Sequence, residues 1–148
     1  MTDESSQTYP KTVDKLLDNA LGANGYYGFF VANVHNDQLN APALADIINS
    51  AQAHGVPIIS AAQLLTFLDG RNDSSFNSLA WTSNELTFTI SVGAGANGLQ
   101  AMLPINSSAG ALRKFTCNGR AVIYSIQTIK GIQYAVFSAI PGDYAATF

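Results

Sequence analysis

Leu112-Arg-Lys-Phe-Thr-Cys-Asn-Gly-Arg-Ala-Val-Ile-Tyr-Ser-Ile-Gln-Thr128 decides the fold of the second half of the chain. Asn118-Gly119 sits between two runs rich in β-branched and aromatic residues. Both central positions of a two-residue type I′ turn need positive φ, which Asn and Gly tolerate, so the pair predicts a hairpin with strands 112–117 and 120–128. Outward from it, the same grammar repeats. Leu79–Thr82 leads through Ser83-Asn84 into Glu85–Val92, where Leu86, Phe88, Ile90 and Val92 alternate with polar partners. Leu99–Leu103 precedes Pro104, Lys130-Gly131 turns into Ile132–Ser138, and Pro141-Gly-Asp143 turns into Tyr144–Phe148. About seven short strands at this spacing predict an all-β, sandwich-like module. Leu86, Phe88, Ile90, Val122, Tyr134 and Phe137 are its predicted core.

The first half has a different period. Pro10–Leu21 carries Val13, Leu16, Leu17, Ala20 and Leu21 on one helical face, with Pro10 in the first turn and Gly22 after the end. Tyr26–Val34 is apolar on both alternating faces, as in a strand covered by helices. Asn40 caps a predicted helix to about His54 that stops at Gly55. Val56–Ser60 reads as a short strand, and Ser60 caps a last helix to Leu68. The polar stretch Arg71-Asn-Asp-Ser-Ser-Phe-Asn-Ser78 reads as a linker. The predicted class is therefore α+β: a short βαβα segment, a partial barrel, over 1–72, followed by an all-β sandwich-like module over 73–148.

Composition narrows function by exclusion. Hydrophobic residues make up 47% and charged residues 11% of the 148, which excludes intrinsic disorder. The apolar runs are too short to span a bilayer, so no membrane partner is expected. Residues 1–73 hold eight acidic and three basic side chains, and residues 74–148 two acidic and four basic. A surplus of two cations without a clustered stripe is no nucleic-acid footprint. The single cysteine, Cys117, allows no internal disulfide and no cysteine-ligated metal cluster. With two histidines, His35 and His54, and no ligand spacing between them, neither a metal site nor a cofactor is expected. Gly93-Ala-Gly-Ala-Asn-Gly98 has the spacing of a dinucleotide loop but lies between strands with no helix after it. No serine sits in a Gly-x-Ser-x-Gly elbow. The acidic, polar opening Met1–Gln7 is not a signal peptide.

Gly25-Tyr-Tyr-Gly-Phe-Phe-Val-Ala-Asn-Val-His-Asn-Asp37 and Ala53-His-Gly-Val-Pro-Ile-Ile-Ser-Ala-Ala-Gln-Leu-Leu-Thr-Phe-Leu-Asp-Gly-Arg-Asn72 resemble the last strand-helix units of polysaccharide-deacetylase-like barrels. Leu99-Gln-Ala-Met-Leu-Pro104 and Thr128-Ile-Lys-Gly131 are similar to a β-sandwich that follows such barrels in large secreted bacterial proteins. The resemblance covers residues 7–148. It implies a C-terminal part of a longer, extracellular or cell-surface protein. It implies no complete catalytic set here, because the family's metal-binding Asp-His-His and catalytic aspartate come from earlier strands.

Two groups of residues are candidates for chemistry. His35 matches the histidine that the family places at the end of its last barrel strand, and Asp37 two residues on could orient it as a general acid. The competing role for His35 is a polar strand end with no substrate near it. Trp81, Tyr124 and Tyr134, with Tyr144, offer flat rings for stacking on sugars, against the alternative that they fill the core. The expected function is a non-catalytic accessory module with polysaccharide as partner. The alternatives are a deacetylase or glycoside hydrolase subunit completed by another chain, and a structural protein that self-associates. An incomplete sheet in the first segment predicts a homo-oligomer built through that α/β half.

Overall fold

The computed structural model describes residues 8–23, 25, 28–33 and 42–148. The chain is α+β: among the described residues three helices precede ten strands. It divides into two compact units, Met1–Ile59 and Ser60–Phe148.

The first unit pairs α1 (Lys11–Leu21) with α2 (Pro42–Ala53). Val13 and Leu17, four residues apart on one helical face, are buried, as are Ser50 and Ala51 of α2. The chain leaves α2 where Val56 N–H returns to Ala51 O at 2.9 Å, at the glycine stop read from the sequence. Stretches 28–33 and 56–60, both expected as strands, run outside every ladder among the described residues, apart from a single bridge at Asn33. A strand without flanking partners does not sustain a sheet, so among the described residues hydrophobicity on both sides is not enough to define one.

The second unit begins at a capping box. Ser60 Oγ accepts from Gln63 N–H at 3.2 Å, and Ser60 N–H donates to Gln63 Oε1 at 2.8 Å, starting α3 (Ala61–Asn72). The sequence reading gives α3 to the first segment, with the border at 72; the compact units part at Ile59 instead. The reason is a close approach within the second unit. A Cβ on Gly70 would stand 2.5 Å from Ala96 N, and one on Gly95 would stand 2.6 Å from Thr66 Cγ2. The glycines that imitate a dinucleotide loop are thus where loop 93–98 meets α3. Ser74 Oγ donates to Gly70 O at 2.7 Å and accepts from Gly93 N–H at 2.9 Å. The expected linker 71–78 is therefore the end of α3, this tie, and the start of β1 (Ser75–Thr82). Its Ser and Asn read as loop because every residue of β1 is exposed.

Two sheets build the sandwich. The first is antiparallel in the order β1-β2-β10-β6-β7, with β2 at Glu85–Ser91, β6 at Lys114–Cys117, β7 at Arg120–Ala121 and β10 at Gly142–Thr147. The second has the order β3-β9-β8, with β3 at Gln100–Pro104, β8 at Tyr124–Ile129 and β9 at Ile132–Ser138. A small pair, β4 (Asn106–Ser107) and β5 (Gly110–Ala111), occupies the stretch between the expected strands 99–103 and 112–117. The Asn118-Gly119 turn forms as expected, with φ of 49° and 77°. The single strand expected over 120–128 is broken at Val122-Ile123, where the chain leaves β6 and crosses to β9 on the other sheet.

The inner faces share one core: Phe88, Ile90, Ala101, Leu103, Phe115, Cys117, Phe137, Tyr144, Ala146 and Phe148. Phe88 and Tyr144, cross-strand partners, stack with ring centroids 5.1 Å apart, and Phe115 meets Phe137 edge-on at 4.8 Å. Of the predicted core, Phe88, Ile90 and Phe137 are buried, and Leu86 and Val122 pack partly buried against the cluster. Tyr134 is not in it.

Candidate functional site

Register assigns each candidate aromatic to a face. Side chains alternate along a strand, and residues paired across a ladder share a face. Phe137 faces the core, so its partners Tyr124 and Ala101 face inward, as do Ala135, Ile126 and Leu103. Tyr134 lies at the opposite phase, paired with Pro104 on one side and Gln127 on the other. It therefore stands on the outer phase of the three-stranded sheet, with Gln100, Met102, Ser125, Ile132 and Val136. None of these neighbours is charged, and all are exposed except Val136, which is buried at 7%; Tyr134 itself is half-buried. The result is a flat face of amide, hydroxyl, aliphatic and phenolic groups, with Tyr134 on the central strand.

Trp81 and Tyr124 do not join that face. Trp81 lies on β1, in the other sheet, opposite Leu86. Its ring packs on Phe148 at 5.3 Å, and its Nε1–H donates to Ser83 O at 3.0 Å. A bulge between Asn77 and Ala80, with Ser78 at φ 52°, turns both Phe76 and Trp81 to the core side although they are five residues apart. Trp81 thus covers the core at a sheet edge. Tyr124 leans inward against Phe115 at 6.3 Å. The structure therefore does not gather the three rings into one platform; Tyr134 alone lies on the outer phase of its sheet, and it is half-buried.

Tyr144 is structural. Its hydroxyl donates to Ile140 O at 2.9 Å and accepts from Ile140 N–H at 3.2 Å, bracing the entry to β10 as tyrosine corners do in Greek-key sandwiches. Burial pushes its phenol up to about 12, so it stays neutral. Cys117 is buried beside it. Both line one end of a hollow of about 550 Å³ with Asn118, Arg120 and Ser138.

His35 and Asp37 lie outside the described residues. His54, directly after α2, presents Nδ1 to Ser50 O at 2.7 Å and Nε2 to Asp18 Oδ1 at 3.1 Å. Both partners are acceptors, so both ring nitrogens must carry hydrogen for the pair of bonds to form. The Ser50 carbonyl, then Asp18, accordingly raise its pKa above the ordinary 6.5. Sequence spacing gave no hint of the His54–Asp18 pair, because its members come from different helices. Among the described residues no group of three His, Cys, Asp or Glu side chains is placed to hold a metal ion, and no helix is long and apolar enough to cross a membrane.

A second surface lies in the first unit. Val13, Leu17, Ile47 and Ala51 on the helices, with Phe29, Phe30 and Ile58, line a cavity of about 410 Å³. Phe29 is 57% exposed, Val31 69% and Ile58 56%. This is apolar area that a folded chain ordinarily covers.

No family model, curated protein or solved structure matches this chain.

Proposed function

We propose that the chain is a non-catalytic accessory module of an extracellular or cell-surface carbohydrate-active protein of polysaccharide-deacetylase-like type, and that its β-sandwich contacts polysaccharide. The observation that carries the reading is the outer face of β3-β9-β8. A sugar ring offers an apolar face and a rim of hydroxyls; Tyr134 supplies a flat partner for the first, and Gln100, Ser125 and Gln127 supply donors and acceptors for the second. Resemblance of the same strands to the sandwich that follows deacetylase-like barrels supplies the carbohydrate setting.

Gel retardation with soluble acetylated xylan, and titration with chitin oligosaccharides, test it. Retardation is expected, and Tyr134→Ala should weaken it about tenfold, equivalent to 1.4 kcal/mol. Trp81→Ala should leave sugar binding unchanged. Equal retardation of wild type and Tyr134→Ala, or none for either, overturns the proposal. No acetate release is expected with zinc, cobalt or nickel present; metal-dependent release lost in His35→Ala would favour an enzyme subunit.

The exposed apolar surface of the first unit favours a second reading, self-association. Phe29, Val31 and Ile58 would each contribute about 1.5–3 kcal/mol if fully buried between copies. Together they are comparable with the roughly 4–15 kcal/mol that association costs. The homo-oligomer is therefore proposed to form through this half.

A further inference from the structure

The five-stranded sheet is wider than the three-stranded sheet that faces it, and the chain changes sheets at Val122-Ile123, directly after the two-residue β7. The hollow of about 550 Å³ lies at this switch. Its size falls within the roughly 300–1,000 Å³ of small-molecule sites. Cys117 and Tyr144, both buried, line it from the core side. Ile123 and Ile140 also line it, yet they are 92% and 53% exposed. Two aliphatic side chains thus meet water beside a space that an apolar group could fill.

Register sets the polar groups around that space. Cys117 faces the core and pairs with Arg120, so Arg120 stands on the inner phase at the sheet edge. Asp143, the one acidic residue after Glu85, is next to inward-facing Tyr144 and pairs with Thr89, so it stands on the outer phase. The sheet separates the two charges, and Arg120 has no ion pair among the described residues. Asn118 Oδ1 accepts from Asp143 N–H at 2.9 Å, which fixes the amide and leaves Nδ2 over. A Cβ on inward-phase Gly142 would stand 2.5 Å from that Nδ2, so the amide lies over the inner side of β10. The hollow is therefore lined by guanidinium, amide N–H and, at Ser138, hydroxyl donors, and among the described residues by no carboxylate.

Donors of this kind need acceptor oxygens from the ligand. A carboxylate answers Arg120 most strongly, because its two oxygens match the planar guanidinium fork. The isoleucines need a hydrocarbon body beside it.

We propose that this hollow binds a small monocarboxylate with a hydrocarbon body. Arg120 meets the carboxylate, with Asn118 Nδ2 and Ser138 Oγ as further donors, and Val122, Ile123 and Ile140 cover the body. The site lies on the inner side of the sandwich, apart from Tyr134, and does not depend on sugar binding.

The test is titration of the full chain with octanoate, followed by calorimetry and by amide NMR shifts. Saturable binding is expected, with shifts concentrated in residues 117–123 and 138–144. Arg120→Gln should weaken octanoate at least tenfold and leave the weaker binding of 1-octanol unchanged. Ile123→Ser should weaken both. Arg120 and Ile123 are exposed, so both variants should keep the wild-type melting curve. Four results overturn the proposal: no shifts in those two segments at millimolar octanoate, shifts confined to the first unit, wild-type affinity in Arg120→Gln, or octylammonium or glucuronate bound as tightly as octanoate. Octylammonium keeps the body and reverses the charge; glucuronate keeps the charge and lacks the body.

Discussion

Phe88 is in ring contact with Phe76, Phe115 and Tyr144, and is buried where the two sheets meet. Truncation would leave a cavity that three aromatic rings cannot close, so Phe88→Ala should lower stability by about 3–5 kcal/mol in urea unfolding. His54 carries a pH dependence whose sign follows from its two acceptor partners. Its folded pKa is raised, so the α1–α2 pairing gains stability that is fully present below the ordinary value of 6.5 and is lost as pH rises through the raised midpoint. Proton titration of the His54 ring by NMR should show a midpoint above 6.5. Asp18→Asn should lower it only in part, because the larger contribution comes from the Ser50 carbonyl. A midpoint unmoved by Asp18→Asn would show that the pair does not form. These residues also mark what was legible beforehand. Phe88 is readable from alternation alone, since every second residue of β2 faces the core. Tyr134 shares that period-two signature, yet it sits on the outer face, because alternation gives phase and not which phase is inside.

Among the elements, α3 depends on glycine at its contact with loop 93–98. Gly70→Val would force a side chain against Ala96 and should cost about 1–3 kcal/mol, measured as a lower melting temperature. The Asn118-Gly119 turn was legible because its chemistry is local. The break at Val122-Ile123 was not, since nothing local distinguishes a strand that stays in its sheet from one that changes sheets. The same holds for residues 71–78: serine and asparagine on an exposed edge look like a turn, and only the partner strand β2 makes them β1.

For the whole molecule, the border at Ile59–Ser60 predicts that residues 60–148 fold alone with native amide dispersion. Residues 75–148 should be less stable, because the loop at Gly93–Ala96 loses α3. Light scattering at micromolar concentration should report an assembly, and Phe29→Glu should dissociate it if the first unit is the interface; a monomeric wild type would exclude that interface. The α+β class could be read from the change of hydrophobic period, but the absence of ladders from 28–32 and 56–60, among the described residues of the first unit, could not. A strand is a property of its neighbours as much as of its own residues.

Placement of β10 has a consequence for the order in which the sandwich comes into being. β10 inserts between β2 and β6, pairing Thr147 with both Glu85 and Lys114. Ribosomal synthesis delivers β1–β2 and β6–β7 as two hairpins with a vacant slot between them, and their common sheet is closed only when the strand made last arrives. The contact that joins the halves spans 62 residues in Thr147 and Glu85, so closing that loop precedes any gain from the pairing. Refolding of this unit should fall in the millisecond-to-second range of high-contact-order sandwiches, and Ala146→Gly in the central strand should change its kinetics more than the same exchange at Ala80 on the edge.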